Sequence, residues 1–178
     1  MPSRLAAATL LLAAACVPIE GAGEQELEPI GAFALSAELD STSCGKETEV
    51  SIAPSIELEV SLSRLGRSLV WEVGKSRWVG TLDEDERSFV VRSAYEVDVT
   101  LESDDPNDER AGCVVRRIEE IRGKLDEDDR SFAGRIAYRY EAREGSDCGP
   151  ELSAEPPLVE KLPCDAKYEA RGELARRE

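Results

Sequence analysis

The chain has 178 residues, enough for about one domain, and its 38 acidic residues outnumber 22 basic ones, which gives a formal net charge of −16. It contains no histidine, which excludes Ser-His-Asp triads, Cys-His dyads and zinc sites built on imidazole. A strongly negative chain is repelled by phosphate backbones, so nucleic-acid binding is disfavoured. The charge balance instead favours a cationic partner or a highly soluble surface.

Residues 1–15 have the features of an export signal. Arg4 supplies a positive charge, and the 11 residues from Leu5 to Ala15 form an uncharged run rich in leucine and alanine. Such a run is long enough for the apolar part of a signal peptide but too short to span a membrane, which takes about 20 residues. Ala13 and Ala15 would suit cleavage by an ordinary signal peptidase, which would release a secreted protein.

The segment from Ala13 to Cys16, which reads AAAC with Leu12 before it, also resembles the lipobox of bacterial lipoproteins. The commonest lipobox has leucine three places before the cysteine, where this chain has Ala13. The resemblance implies that Cys16 is acylated, becomes the first mature residue and holds the protein on a membrane. Val17, in place of an aspartate after the cysteine, implies sorting to the outer membrane, with the domain facing the periplasm or the cell surface.

Five cysteines are an odd number for an exported protein, so one thiol would stay unpaired. If Cys16 carries lipid, the other four can form two disulfides in an oxidising compartment. Cys148 and Cys164 flank a proline-rich stretch, so we favour a bond between them, which leaves Cys44 to pair with Cys113. Four cysteines allow three pairings, and the sequence does not choose among them.

A tether and a single domain follow the signal. Residues 16–29 contain four glutamates and few apolar residues, a composition typical of a flexible linker. Residues 30–178 form one domain, long enough to bury a core. Within it, residues 80–99 and 123–142 are two related units, whose first 16 residues are identical at 11 positions. Such a repeat indicates two supersecondary units of the same design.

The two units alternate apolar and polar residues after an acidic start that favours a turn. In the first unit Phe89, Val91 and Tyr95 share one face, and Arg92 and Glu96 lie on the other. A period of two with one polar face predicts a half-buried antiparallel strand. Each unit is therefore expected to be a hairpin with an acidic tip.

The same alternation recurs along most of the chain, which predicts an all-β domain. Strands at this density favour an antiparallel meander that is closed as a small barrel or folded as a sandwich. Residues 113–121 are ambiguous, because Val114, Ile118 and Ile121 have helical spacing while the repeat aligns this stretch with a strand. We predict a strand there.

Two sets of side chains are candidate binding sites. The acidic tips would contact a cationic envelope protein, and their ordinary alternative is a solvated turn. The tip residues are Asp83, Glu84, Asp85, Glu86, Asp126, Glu127, Asp128 and Asp129. Five aromatic residues could line the cavity of a ligand carrier, and their ordinary alternative is a packed core. These are Phe89, Tyr95, Phe132, Tyr138 and Tyr140.

These observations favour a protein that binds rather than catalyses. The first hypothesis is a lipid-anchored interaction module that contacts its partner through the acidic tips, and the second is a lipocalin-like carrier of a small apolar ligand. A hydrolase is a third hypothesis, which would need two carboxylates roughly 5–10 Å apart in a cleft. No cofactor or metal is predicted, because Arg87 and Arg130 stand where a calcium loop needs a third ligand.

Intact-mass measurement of the native protein tests the predicted processing. We expect a chain that starts at Cys16, carries acyl groups on that residue and has lost four hydrogens to two disulfides, because stable anchoring takes more than one acyl chain. A chain that keeps residues 1–15 and an unmodified thiol at Cys16 would contradict the lipobox interpretation.

Overall fold

The chain is described here by a computed structural model. The residues it describes are 27–50, 52–85, 87–101 and 112–176. The predicted signal segment, the lipidation site Cys16 and the tip residue Glu86 lie outside the described residues.

Eight strands and one short helix, α1 (Gly149–Ser153), make up the fold. The strands are β1 (Glu28–Thr42), β2 (Ser55–Leu65), β3 (Ser68–Val73), β4 (Ser76–Leu82), β5 (Ser88–Asp98), β6 (Val114–Leu125), β7 (Ser131–Ala142) and β8 (Cys164–Arg176). Each strand pairs antiparallel with the next, and β8 pairs with β1, which closes a barrel. The predicted all-β meander is confirmed, and it is a barrel rather than a sandwich.

The residues that alternate in the sequence alternate between the interior and the surface of this barrel. On β1, for example, Phe33 and Leu35 are buried while Ala34 and Ser36 are exposed. Residues 114–121 belong to β6, so the strand prediction there is confirmed. The helical spacing in this stretch arises because β6 carries apolar residues on both faces. Ile121 belongs to the core, whereas Ile118 lies on the opposite face.

The two ends of the barrel differ. We call the end that carries the short turns at 66–67, 83–85 and 126–130 the tip end. The opposite end, which carries residues 43–50, 52–54 and 143–163 between the strands, is the loop end. Both predicted hairpins are present, since β4 pairs with β5 and β6 with β7, and their acidic turns lie at the tip end.

Four aromatic rings fill the barrel toward the tip end. The ring of Phe132 lies 5.5 Å from Phe33, 5.9 Å from Trp71 and 5.7 Å from Phe89, measured between centroids. Such tilted and edge-on contacts add to the free energy gained by burying the rings. Phe132 also covers Gly172, its cross-strand partner on β8. A glycine is required there because any side chain would occupy the space of the ring.

The β3–β4 hairpin leaves part of the barrel wall open. Strands β3 and β4 have 6 and 7 residues, whereas β2 and β5 have 11 each. The hairpin pairs with β5 only at Phe89 and Val90. In the described part of the chain, residues 55–60 of β2 and 91–98 of β5 therefore have a strand partner on one side only. We call the gap between these two segments the slot.

Two disulfides join the connections of the loop end, and their pairing differs from the predicted one. Cys44 bonds to Cys164, and Cys113 bonds to Cys148, so the predicted pairs Cys44–Cys113 and Cys148–Cys164 are wrong. The reason is the closed barrel. Cys44 follows β1 and Cys164 begins β8, which is the strand beside β1, while Cys113 precedes β6 and Cys148 follows its neighbour β7.

Replacing Gly172 with alanine tests the packing at the tip end. We expect Gly172→Ala to lower the free energy of unfolding by about 1–3 kcal/mol, because a methyl group there overlaps the Phe132 ring. Urea unfolding measures the change. The matched control is Gly149→Ala, where the new methyl would have the Asp147 carboxylate at 3.3 Å as its only close neighbour among the described residues. Equal unfolding curves for both variants would contradict the packing argument.

Removing each disulfide separately tests how the loop end is held. The Cys44–Cys164 bond closes 120 residues of chain and the Cys113–Cys148 bond closes 35. Because a longer closed loop constrains the unfolded chain more, removing the first bond by a double Cys→Ala change should cost about 1 kcal/mol more than removing the second. Urea unfolding of the two double variants decides this, and a larger loss without the Cys113–Cys148 bond would refute it.

Candidate ligand-binding site

A cavity of about 250 Å³ lies inside the barrel beside the aromatic cluster. We call it cavity A. Trp71 and Ile121 belong to its wall and also to the hydrophobic core. Most of its lining is apolar. The complete lining is Leu35, Ile56, Leu58, Trp71, Val73, Trp78, Val91, Ser93, Tyr95, Arg117, Glu119, Ile121, Ile136 and Tyr138.

Cavity A opens at the slot, because its lining includes residues from both edges of that gap. Ile56 and Leu58 come from the β2 edge, and Ser93 and Tyr95 from the β5 edge. Tyr95 is 43 % exposed, so the wall is in contact with solvent there. A small molecule could therefore reach the apolar interior without unfolding of the barrel.

Two charged residues of β6, Arg117 and Glu119, point into the barrel. They share the inward face with buried Val115 and Ile121. Neither residue was predicted from the sequence, because charged side chains were expected to lie on the surface. The signal that could have found them was the alternation itself, which places residues 115, 117, 119 and 121 on one face. Arg116, the residue before Arg117, is on the other face: it is exposed, and its guanidinium lies 3.7 Å from the carboxylate of Glu141.

The guanidinium of Arg117 lies between two tyrosine rings. Its central carbon is 5.1 Å from the centroid of Tyr95 and 4.3 Å from that of Tyr138, which are distances at which a cation is attracted to the face of a ring. Its nearest acidic partner is Glu119, at 4.0 Å. The same Glu119 oxygen accepts a hydrogen bond from the Ser93 hydroxyl at 3.4 Å.

Burial and the carboxylate of Glu119 raise the pKa of Tyr138 well above that of a free phenol. Burial also raises the pKa of Tyr140 and Tyr95. All three hydroxyls are protonated at neutral pH, as an ordinary phenol is, and can donate a hydrogen bond. The inner wall therefore combines hydroxyl donors, one guanidinium and one carboxylate with a large apolar surface.

A second cavity, of about 270 Å³, lies on the loop-end side of Arg117. We call it cavity B. Tyr95 and Arg117 line both cavities, so these two side chains separate them. The rest of the lining is apolar except for Tyr140: Val50, Val97, Val99, Val115, Leu158, Val159 and Leu162. Leu158, Val159 and Leu162 belong to the proline-rich stretch, which packs over this end of the barrel.

The five aromatic residues chosen as candidate cavity lining divide into two groups. Tyr95 and Tyr138 line cavity A, and Tyr95 and Tyr140 line cavity B. Phe89 and Phe132 are 1 % and 3 % exposed and belong to the packed cluster at the tip end. These two phenylalanines are therefore core residues and do not line either cavity.

The acidic tips are turns stabilised from within. The Asp85 carboxylate accepts hydrogen bonds from the backbone amides of Ser88 and Arg87, at 2.8 and 3.0 Å, which lowers its pKa. Asp126 accepts from the Ser131 hydroxyl at 2.8 Å and the Arg130 amide at 2.7 Å, which lowers its pKa too. These are the side-chain-to-backbone bonds that define such turns.

Other tip carboxylates are paired within the molecule as well. Asp129 accepts two hydrogen bonds from Arg64, at 3.1 and 3.3 Å, and Glu127 lies 3.9 Å from Arg87. Asp83 and Glu84 are exposed in the first turn, and Asp128 in the second. The two tips therefore lie at the same end of the barrel, but several of their carboxylates already form hydrogen bonds or ion pairs within the protein.

The described residues hold no group of three or more Cys, Asp or Glu placed to bind a metal ion. Within the same part of the chain, no helix has the length and apolar character needed to cross a membrane. Comparison with models of protein families, with curated proteins and with solved structures found no match to this chain.

Proposed function

We propose that this protein binds and carries a small, mainly apolar molecule, which enters cavity A through the slot. The observation that carries the proposal is a largely apolar cavity that reaches a gap in the barrel wall. Its volume of about 250 Å³ is slightly below the lower end, about 300 Å³, of pockets that hold drug-sized ligands. The ligand is therefore a small one.

Binding in the cavity is better supported than binding through the acidic tips. Asp85, Asp126 and Asp129 already accept hydrogen bonds within the protein, and removing them from these partners for an outside cation would cost the turns their stabilisation. Cavity A, by contrast, is a mainly apolar space that no side chain of residues 27–50, 52–85, 87–101 or 112–176 fills. Its described wall supplies one carboxylate, that of Glu119, whereas carboxylate-pair hydrolysis takes two.

We further propose that the carrier is exported and is held on a membrane by acylated Cys16. The support is the lipobox resemblance together with the use of all four other cysteines in disulfides, since such bonds are typical of oxidising compartments. Cys44 and Cys164 tie β1 to β8 at the loop end. β1 begins at Glu28, at the tip end, so the predicted tether before it would attach the barrel to the membrane by that end. Glu28 and Pro29, predicted as the end of the tether, belong to β1.

A matched pair of Val→Phe variants tests binding in cavity A. Val73 lines the cavity, whereas Val79 lies on the paired strand β4 and is 59 % exposed. The probe is N-phenyl-1-naphthylamine, an uncharged apolar fluorophore, and both tryptophans of the chain, Trp71 and Trp78, line the cavity. We expect the probe to quench tryptophan fluorescence and Val73→Phe to weaken its binding about tenfold or more, because the new ring takes the space of the ligand.

Val79→Phe is the control and should bind the probe as the unchanged protein does. Two results would contradict the proposal: a probe that fails to bind the unchanged protein, or one that binds Val73→Phe as tightly as Val79→Phe. Thermal unfolding of both variants verifies that they are folded.

A further inference from the structure

We propose that the ligand is an amphiphile with an acidic head group, a carboxylate or a phosphate, and that Arg117 binds this group while the apolar part lies in cavity A. This inference rests on the proposed function and names the ligand class of the same site. The observation behind it is a guanidinium inside the barrel whose donors find no acceptor among the described residues.

The donors of Arg117 are unused. Across residues 27–50, 52–85, 87–101 and 112–176, no atom accepts a hydrogen bond from its guanidinium, and its Nε is fully buried without a partner. An arginine carries five N–H donors in a planar fork that matches the two oxygens of a carboxylate or phosphate. Buried donors are normally satisfied, and Nε is one, although the side chain as a whole is 31 % exposed. An unsatisfied buried donor at a cavity wall indicates an acceptor that the ligand brings.

The neighbours of Arg117 hold its charge in place without using these donors. The rings of Tyr95 and Tyr138 attract the cation but take no conventional hydrogen bond from it. Glu119 is 4.0 Å away, beyond hydrogen-bond distance, and its nearer oxygen already accepts from Ser93. The ring contacts therefore position the guanidinium, and its donors stay available.

Glu119 is the one feature of the wall that opposes an anionic head group. It is the only acidic side chain among the described residues that line the two cavities. An amine head group would bind Glu119 instead, and this is the alternative that the experiment must separate. We favour the anion because Glu119 has a hydrogen-bond donor in Ser93, whereas Arg117 has no acceptor in the part of the chain that the structure describes.

The net charge of −16 does not forbid an anionic ligand. Charges on the outer surface are screened over about 8 Å at physiological ionic strength, and a contact inside the barrel is screened much less. The position of Arg117 also suits a head group, because this residue lies where cavity A meets cavity B and next to half-exposed Tyr95. The head group would thus stay near solvent while the chain lies over the tryptophans.

Four ten-carbon amphiphiles test the head group: decanoate, decyl phosphate, decylamine and decanol. Each is titrated against the full-length protein at pH 8 in the presence of N-phenyl-1-naphthylamine, and displacement of this probe reports binding. We expect decanoate or decyl phosphate to bind about tenfold or more tightly than decanol, because hydrogen bonds between two charged groups are the stronger ones. The preference between these two anions distinguishes a carboxylate ligand from a phosphate one.

Two arginine variants on adjacent positions supply the control. Arg117→Gln should reduce the binding of the anions to the level of decanol, while Arg116→Gln, on the outer face of the same strand, should leave the preference unchanged. Glu119→Gln should strengthen anion binding, since it removes the opposing charge. If Arg117→Gln does not fold, the Nε–H resonance of Arg117 in the unchanged protein is followed by NMR, and it should shift with decanoate but not with decanol.

Three outcomes would overturn the inference. Tightest binding of decylamine, with loss of that binding in Glu119→Gln, would show a cationic ligand. Equal binding of decanoate, decyl phosphate and decanol would show that the head group is not recognised, although the proposed carrier function would survive. Equal effects of the Arg117 and Arg116 changes would show that the preference is a general effect of charge.

Discussion

The barrel depends on the contact between the short β4 and the long β5. Only two residue pairs join these strands, Thr81 with Val90 and Leu82 with Phe89, yet they close the wall at the tip end. Because the β3–β4 hairpin ends early, the same contact leaves β5 without a partner on its β4 side over residues 91–98. Closure at one end and the opening toward the other thus have a single cause, the length of one hairpin.

The internal repeat belongs to the closed end. Three turns of the tip end share one backbone hydrogen bond. In each, the carbonyl of an arginine just before β3, β5 or β7 accepts from the amide of a leucine on the next strand, β4, β6 or β8. The bonds run from Leu82 to Arg67, from Leu125 to Arg87 and from Leu174 to Arg130, at 3.0, 3.1 and 2.8 Å. The two units of the repeat therefore share one backbone hydrogen bond at the tip end, whereas Arg117 and cavity B lie toward the loop end, beyond this shared arrangement.

Much of the fold could be predicted from alternation, because a half-buried strand needs apolar side chains on one face only. Whether the sheet closed could not be predicted, since closure depends on strand length and tilt, which no local pattern records. The disulfide error follows from this. Cys44 and Cys164 are 120 residues apart and become neighbours only when β8 pairs with β1, so a prediction that favoured nearby cysteines missed the bond.

The candidate site was half predicted, and the missing half was the charged one. Tyr95, Tyr138 and Tyr140 were found as apolar ring surface, but Arg117 was not, although its register partners are Tyr95 on β5 and Tyr140 on β7. Assigning every charged residue to the surface fails for Arg117 and Glu119, which lie on the inward face of β6. Burying a guanidinium costs free energy unless something compensates it. In this barrel the rings of Tyr95 and Tyr138 provide part of that compensation. No described residue accepts a hydrogen bond from the guanidinium, so the proposed acidic head group would supply the rest.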